Sequence, residues 1–458
     1  MRIIVIGDGK IGHHIAAQLV SEGHEVTIID RDESVLQRSM DTLDALVVKG
    51  NGVSTDTLTE AGVQHADVVI AVTANDEINM LCSLTAKKLG AKYTISRVRD
   101  PGYMKSLPFL MKELFIDYAI NPERNMALEI SRILRYPFSG NVETFARGRV
   151  EMLDFVVQPH GRLAGVMLKD LYRVHRELPR VLFCAVERNH QAIIPKGDFV
   201  FAPDDRVFVA ADLHNITAFF NAIGKNTRHI RRVMVLGGSR IAFYLTSMLL
   251  DMDMDMDVTI VEIDPERARE LSEALPRANI VLGDGTDHDL LENEGLTDAD
   301  AFVTLSGLDE ENIMSGLYAI RRGVPKVIVK NNRDNYAELL QDLGLDSVVN
   351  TKHVTSNTIL RAVRTRGNAS PLSGVQRLYR MMDGKAEALE FIAKKDAAYT
   401  GIPLRALKVR KDALVAVIVR AGRVVVPMGD DTLEPEDRII VIVKGNGVMA
   451  LEDVVGRA

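Results

Sequence analysis

Short, unbroken apolar runs separated by amphipathic stretches set the pattern of the first 120 residues. The runs predict strands at Arg2–Gly7, Glu25–Asp30, Ala45–Lys49, Val68–Thr73, Tyr93–Arg97 and Tyr118–Ile120. Between them, apolar residues recur at helical spacing in His13–Glu22, Ser34–Thr42, Thr55–Ala61 and Glu77–Leu89. Strands that do not alternate with polar residues are buried on both faces, and the intervening helices supply the cover. The expected architecture is therefore α/β, a doubly wound parallel sheet.

The pattern then returns. Arg2-Ile-Ile-Val-Ile-Gly7-Asp-Gly-Lys-Ile-Gly12 reappears 230 positions later as Arg232-Val-Met-Val-Leu-Gly237-Gly-Ser-Arg-Ile-Ala242. Val26–Asp30 returns as Val258–Glu262, Gly50-Asn51-Gly52 as Gly283-Asp284-Gly285, and Asn75–Asn79 as Leu308–Asn312. Arg97 becomes Lys330, Tyr103 becomes Tyr336, and Glu129–Arg135 matches Thr358–Arg364. So many matches in register make the chain a tandem duplication.

Each half carries a second, smaller part. Val150–Val157 and Ala388–Ala393 open segments of short strands that end on one pattern. Pro195-Lys-Gly197-Asp198 followed by Pro203-Asp-Asp205-Arg206 recurs as Pro427-Met-Gly429-Asp430 followed by Pro435-Glu-Asp437-Arg438. The Gly-Asp and Pro-x-Asp pairs are turn chemistry, each preceding an apolar strand. The expected segments are 1–123 and 231–352 for the parallel sheets, with small α+β modules at 141–225 and 375–456. Linkers fall at Pro137–Gly140, Lys225–Arg231 and Arg366–Gly374, where Gly, Ser, Asn and Pro collect.

The chemistry concentrates at Gly7-Asp8-Gly9-Lys10-Ile11-Gly12, set between a strand and a helix, with Asp30 ending the next strand. Gly7 permits the tight turn, Gly9 lets backbone approach a pyrophosphate, and Gly12 lets helix and sheet pack closely. The helix N-terminus offers free N–H groups to phosphates, and Asp30 can accept from both ribose hydroxyls. This is a Rossmann-type nucleotide signature in its proper setting. Asp30 favours a free 2′-hydroxyl over a 2′-phosphate, which disfavours NADP. The second copy departs from the pattern, with Ser239 and Ala242 replacing two glycines, which argues against a dinucleotide there; Gly237, Glu262 and Asp284 persist as its candidate nucleotide-binding residues, and whether it takes a nucleotide stays open.

Composition narrows the partners. The 458 residues are 47% hydrophobic and 26% charged with a net charge of −7, which argues against broad nucleic-acid binding. No apolar run reaches the ~18 residues that span a bilayer, and Asp8 and Lys10 interrupt any leader-like start. Cys82 and Cys184, both in apolar or small surroundings, read as buried free thiols of a reducing, cytoplasmic compartment. The acidic run from Asp251 to Asp257 has the spacing of a calcium loop, but Met256 occupies the position that needs glycine. The arginines at 132, 135, 361, 364, 366, 377 and 380 fall outside the sheets and read as solvated faces or contacts to a neighbour.

The layout resembles the cytoplasmic subunits that regulate potassium conductance, and its tandem arrangement is similar to the Trk potassium-uptake family. The resemblance spans nearly the whole chain. It rests on the Gly7–Gly12 loop with Asp30, Gly50-Asn51-Gly52, Thr73-Ala74-Asn75-Asp76-Glu77-Ile78-Asn79, Arg97 and the paired Pro-x-Gly-Asp endings. It implies NAD(H), or else ATP or ADP, as the ligand. By the resemblance, Arg31 lies beside the adenosine, Asn51 and Gly52 border the adenine, Thr73, Ala74 and Asn75 sit at the switch point, and Arg97 reaches phosphate oxygens. Lys330 is the corresponding cation of the second copy. The resemblance also implies a homo-oligomeric ring of four chains, a membrane potassium transporter as partner, and a place on the inner face of the cell membrane.

Two function classes follow. A nucleotide-sensing regulator, not an enzyme, needs only the binding cleft and a movable neighbour. An NAD-dependent oxidoreductase is the alternative, and needs a domain that brings an acid or base to the nicotinamide. The modules are under 100 residues, and His160, His175 and His190 are scattered in turn-rich sequence without a placed partner. A transcription factor would need a basic recognition helix, which the sequence lacks.

Overall fold

The computed structural model describes residues 1–136, 142–224, 230–251, 256–333, 339, 340, 343–345, 347–366, 374–445 and 447–457. Linker Pro137–Gly140, residues 225–229 and 367–373 of the other two expected linkers, Tyr336, and 252–255 of the acidic run lie outside the described residues. By internal contacts the chain forms two compact units, Met1–Asn125 with Thr351–Gly367, and Met126–Asn350 with Asn368–Ala458.

In the first unit six parallel strands alternate with helices: β1 (Arg2–Ile6), α1 (Lys10–Ser21), β2 (Glu25–Asp30), α2 (Glu33–Thr42), β3 (Leu46–Lys49), α3 (Thr55–Glu60), β4 (Val68–Ala71), α4 (Asp76–Lys88), β5 (Thr94–Arg97), α5 (Leu107–Glu113) and β6 (Tyr118–Ile120). The order β3-β2-β1-β4-β5-β6 reverses between β1 and β4, the switch point where open α/β sheets carry ligands. Ile4, Ile6, Val69 and Ala71 share one core with Leu58, Cys82 and Ala86, so the sheet is covered by α3 and α4. Local chemistry fixes the helix starts. The Asp32 carboxylate accepts from Ser34 N–H (2.9 Å) to cap α2, and Asn75 Oδ1 accepts from Ile78 N–H (2.7 Å) to cap α4. Asp76 and Glu77 then lie in the first turn of α4 and Lys87 and Lys88 in its last, each matching the helix dipole.

The helix Thr351–Arg366 belongs to this unit and packs along α1. Arg364, read from the sequence as part of a solvated face or a contact to a neighbour, is fully buried within this unit. Its Nε and Nη2 donate to Glu22 Oε2 (3.0 Å) and Oε1 (2.8 Å), just past the C-terminus of α1. A periodicity argument misses this, because the two partners are 342 positions apart and each looks like an ordinary surface charge.

The second unit repeats the parallel sheet and adds both modules. Helix α6 (Pro122–Arg135) enters it at Met126. The first module has β7 (Val142–Phe145), β8 (Val150–Val156), α7 (Leu171–Val174), β9 (Leu182–Arg188), β10 (Gln191–Ile193), β11 (Arg206–Ala211) and α8 (Leu213–Ala222), with antiparallel order β10-β9-β11-β8-β7. The repeated sheet contains β12 (Arg232–Leu236), α9 (Arg240–Asp251), β13 (Asp257–Glu262), α10 (Pro265–Ala274), β14 (Asn279–Leu282), α11 (His288–Asn293), β15 (Ala301–Thr304), α12 (Asp309–Arg321), β16 (Lys326–Lys330) and β17 (Val348–Val349), in the same order as the first. The second module has β18 (Arg377–Met381), β19 (Ala386–Ile392), β20 (Leu407–Val409), β21 (Ala413–Arg420), β22 (Arg423–Val425), β23 (Arg438–Lys444) and β24 (Val455–Arg457).

A strand precedes the first apolar run of each module, β7 or β18, whose buried and part-buried positions mix. The first module's helical layer is α8. The described residues of the second carry only 3-10 turns beside their strands. The inner faces of the two modules form one core of Phe145, Met152, Ala185, Phe208, Met381, Ala416 and Ile440. The repeated Pro-x-Asp turns have a shared purpose. Asp205 accepts from Ala202 N–H and from Arg188, and Asp437 accepts from Glu434 N–H and from Arg420. Each turn is thereby clamped to the preceding hairpin by a buried carboxylate.

Candidate functional site

The ends of β1, β2, β4 and β5 and the turn after β3 enclose a cleft of about 620 Å³. Its walls include Gly7, Gly9, Lys10, Ile11, Asp30, Arg31, Asn51, Gly52, Thr73, Ala74, Asn75 and Arg97. Of the residues singled out in the first copy's sequence, Asp8 and Gly12 stand behind the wall. Gly7 turns the chain at φ +101°, a conformation that L side chains rarely adopt. A Cβ on Gly12 would overlap Gly7 O, so only glycine lets α1 start this close to the turn. Gly9 differs, because a Cβ there would meet nothing within 4 Å. The protein itself does not require glycine at this position, which leaves the space in front of it to something else. Gly9 is also the N-cap of α1 and supplies no side-chain cap, so the first amides of the helix are not taken by a side chain of their own N-cap.

Asp30 stands at the other end of the loop. Its Oδ2 accepts from Asp8 N–H (2.6 Å) and its Oδ1 from Asp32 N–H (3.0 Å). The carboxylate thus ties the glycine turn to the start of α2 and lines the cleft. Next to it, Arg31 Nη2 donates to Asn51 Oδ1 (2.5 Å), which also accepts from Val53 N–H (3.2 Å). Gly52 lies directly under this pair, where a Cβ would run into Ile6 and crowd Cys82. Burial pushes the Cys82 thiol up to about 12, so it lines the cleft as an inert apolar group.

At the switch point, Thr73 N–H and Oγ1–H both donate to Asn79 Oδ1, at 2.7 and 2.8 Å. The Asn79 amide in turn donates to Thr73 O (3.2 Å) and Arg97 O (3.1 Å). Arg97 is buried and also donates through Nη2 to Thr73 O. Asn79 therefore welds the ends of β4 and β5 together, a positioning role that a single sequence discloses only through its repeat at Asn312. Asn75 is spent on capping α4.

Chemically, the cleft offers backbone amides and cations in its middle, a carboxylate at one end and apolar strand ends beneath. Comparison with known proteins identifies the scaffold. The family model described as the TrkA-N domain matches residues 3–122 and 233–351, and that described as the TrkA-C domain matches 152–224 and 388–456. The chain belongs to the TrkA family. It is 32% identical over 459 residues to Trk system potassium uptake protein TrkA homolog 1 of Methanosarcina mazei, covering 99% of each chain. It is 30% identical over 447 residues to Trk system potassium uptake protein TrkA of Vibrio alginolyticus, covering 96% of this chain and 95% of that one. Among solved structures, the GsuK RCK domain matches with a TM-score of 0.63 at 16% identity, over 97% of this chain and 92% of the other. The GsuK channel bound to NAD matches with a TM-score of 0.62 at 17% identity, over 97% and 76%. These likenesses show a shared fold.

The second TrkA-N copy keeps the frame and changes the contents. Gly237 makes the same turn at φ +91°, and Glu262 Oε2 accepts from Gly238 N–H (2.5 Å) as Asp30 does from Asp8. Asn312 repeats Asn79, accepting from Ser306 N–H and donating to Lys330 O, and Lys330 Nζ donates to Ser306 O. Desolvation lowers the Lys330 pKa. However, Ser239 Oγ accepts from Ala242 N–H (3.4 Å), engaging an amide at the start of α9. Arg267 replaces Val35 of the first cleft and lays its guanidinium on the turn, with Nε donating to Gly238 O (2.7 Å). Asp284 closes a local turn by accepting from Thr286 N–H and Oγ1–H, which holds its carboxyl below the usual range.

Asp32 and Val35 of the cleft wall had no role in the sequence pattern, and Gly50, Ile78 and Cys82 were named there without being placed in the site. Gly50 carried a signal, because its Cβ would strike Thr57.

Proposed function

We propose that this TrkA-family chain is a nucleotide-binding regulatory subunit of a Trk-type potassium uptake system. The observation that carries the reading is the first cleft, where an N-cap without a side-chain cap and an open Gly9 face the same space as Asp30. In this reading Gly7, Gly9, Gly12 and the α1 amides hold a diphosphate, and Asp30 accepts from the adenosine ribose. Arg31, Asn51 and Gly52 border the adenine. Thr73, Ala74, Asn75 and Arg97 line the far side, with Arg97 near phosphate oxygens. NAD(H) is the ligand of choice, with ATP or ADP sharing its adenosine end. The NAD named with the GsuK channel on the same fold is in keeping with this choice. The second copy, whose loop amide and carbonyl are engaged by Ser239 and Arg267, is assigned no nucleotide. The segments 1–123, 141–225, 231–352 and 375–456 are assigned as its domains.

The relatives named as potassium uptake proteins support a membrane potassium transporter as partner. The chain is assigned to a homo-oligomeric ring of four on the inner face of the membrane. No described helix is long and apolar enough to cross a bilayer. Nucleotide can regulate such a ring only through its differential affinity for two arrangements of the Rossmann units.

Calorimetric titration of the full chain with NADH is expected to show saturable binding of one nucleotide per chain. Arg97→Ala is expected to weaken it about tenfold, the worth of a hydrogen bond to a charged group. Sustained, substrate-dependent NADH oxidation would sink the regulator reading. A stoichiometry of two would sink the assignment of the second copy.

A further inference from the structure

Beneath the first glycine loop lies a polar cluster that the nucleotide reading does not use. The Asp8 side chain is wholly buried, although it stands between the two glycines that face the cleft. Ser39 Oγ–H donates to Asp8 Oδ2 (2.6 Å), and Ser39 Oγ lies 2.8 Å from His13 Nδ1. A hydroxyl has one proton, so Ser39 accepts from His13 Nδ1–H and Nε2 is the nitrogen left to titrate. Asp8 Oδ1 is 3.7 Å from His13 Nδ1 and has no hydrogen-bond partner among the described residues. A buried, half-satisfied carboxylate is costly, and beneath a loop that is to receive phosphate it is also repulsive.

The second copy shows that the fold does not need this cluster. Gly238 stands in place of Asp8, Phe243 in place of His13, and Leu271 in place of Ser39. A Cβ on Gly238 would run into Leu271 Cδ1, so Leu271 fills the space beneath residue 238 that Ser39 fills beneath residue 8. The same turn closes with an apolar underside in the copy that has Ser239 and Arg267 engaged on its loop. The polar underside accompanies the open cleft.

We propose that Asp8, Ser39 and His13 form a proton-linked positioning network under the nucleotide loop, through which binding of an anionic diphosphate draws in a fraction of a proton. The inference rests on the nucleotide reading of the first cleft. Without ligand, the cluster holds a carboxylate and an imidazole whose protonation is opposed by burial and by Arg38 on α2. Burial, and with it Asp30 on β2, opposes the Asp8 charge, while Ser39, His13 and Arg38 favour it. The positive end of α1 lies alongside. A diphosphate above the loop adds negative charge and shifts the balance toward the protonated pair, with Asp8 and His13 titrating as one unit. By linkage, affinity then rises as pH falls. The network also holds the loop backbone between α1 and α2, so the proton and the loop position are one variable.

The test uses the full chain and NAD⁺, which has no group of its own titrating between about pH 6 and 8, the range of an imidazole. Calorimetry in two buffers of different ionisation enthalpy measures proton uptake directly. Affinity is expected to tighten about two- to threefold per unit fall in pH, the slope of fractional proton uptake. The triple variant Asp8→Gly, His13→Phe, Ser39→Leu imports the set that the chain already tolerates in its second copy. It is expected to lose both the slope and the uptake, as is His13→Phe alone, and the slope is the quantity compared. A flat wild-type profile with no uptake overturns the inference, as does an unchanged slope in both variants. Absence of NAD⁺ binding to the wild type at every pH overturns the nucleotide reading itself, and this inference with it.

Discussion

Glu22→Gln is expected to destabilise the first unit by about 3–5 kcal/mol, the cost of breaking a buried ion pair by removing one member. Arg364 is the largest fully buried side chain described, and its fork meets both oxygens of Glu22. The pair closes the C-terminal end of α1 against the helix Thr351–Arg366, while the His14 and His353 rings approach to 5.3 Å nearby. Loss of one charge should therefore free the helix before it unfolds the sheet. Hydrogen exchange is expected to rise over 351–366 and to stay low in the β1 and β4 amides. Arg364→Met in the Glu22→Gln background removes the remaining buried charge of the pair and should restore much of the loss, which a double-mutant cycle measures. A change below about 1 kcal/mol in Glu22→Gln would show that the pair is no better than a surface bridge.

The pH dependence of this contact has a definite sign. His24 lies 4.0 Å from Glu22, and its pKa is lowered by burial, by the chain's amino terminus and by Arg364, against the opposing pull of Glu22. Below about pH 6.5 the unfolded state then binds more protons than the folded state, and stability falls as pH drops. His24→Gln is expected to flatten that part of the profile.

What the sequence disclosed depended on the range of the physics. The parallel sheets were legible because each strand is a continuous apolar run, and Gly7 and Gly12 of the first loop each have a local steric reason. The repeat then assigned Glu262 and Lys330 to strand ends, where they stand. Asn79 was visible only as a repeated residue, because its role is to join two strand ends 24 positions apart. Arg364 and Glu22 were hidden for the same reason at greater range, since neither has a local pattern to betray burial. Ser39 looked like any polar residue of an amphipathic helix, and only the turn of α2 brings it under Asp8. That the described residues of the second module carry 3-10 turns in place of an α-helix had no compositional signal, because 3-10 turns and loops share their residues.

Asp30→Ala is expected to lower NAD(H) affinity about a hundredfold or more. The carboxylate does two things at once. It accepts from the Asp8 and Asp32 amides and so fixes the loop, and it lines the cleft at the position assigned to the ribose diol. Hydrogen bonds to a charged acceptor are worth about 1.5–3 kcal/mol each, so losing a bidentate pair reaches that magnitude without counting the loop. Substitutions separate the two roles. Asp30→Asn keeps an acceptor oxygen for the loop and should bind between wild type and Asp30→Ala. Asp30→Glu is the second copy's residue, which still reaches its loop amide at 2.5 Å, and should preserve the turn while displacing the ribose contact. The decisive readout is selectivity rather than affinity. A carboxylate at the ribose repels a 2′-phosphate, so Asp30→Ala should narrow the preference for NADH over NADPH as it weakens both. A uniform loss with the preference unchanged would mean that Asp30 only shapes the loop, and the ribose would have to be placed elsewhere in the cleft.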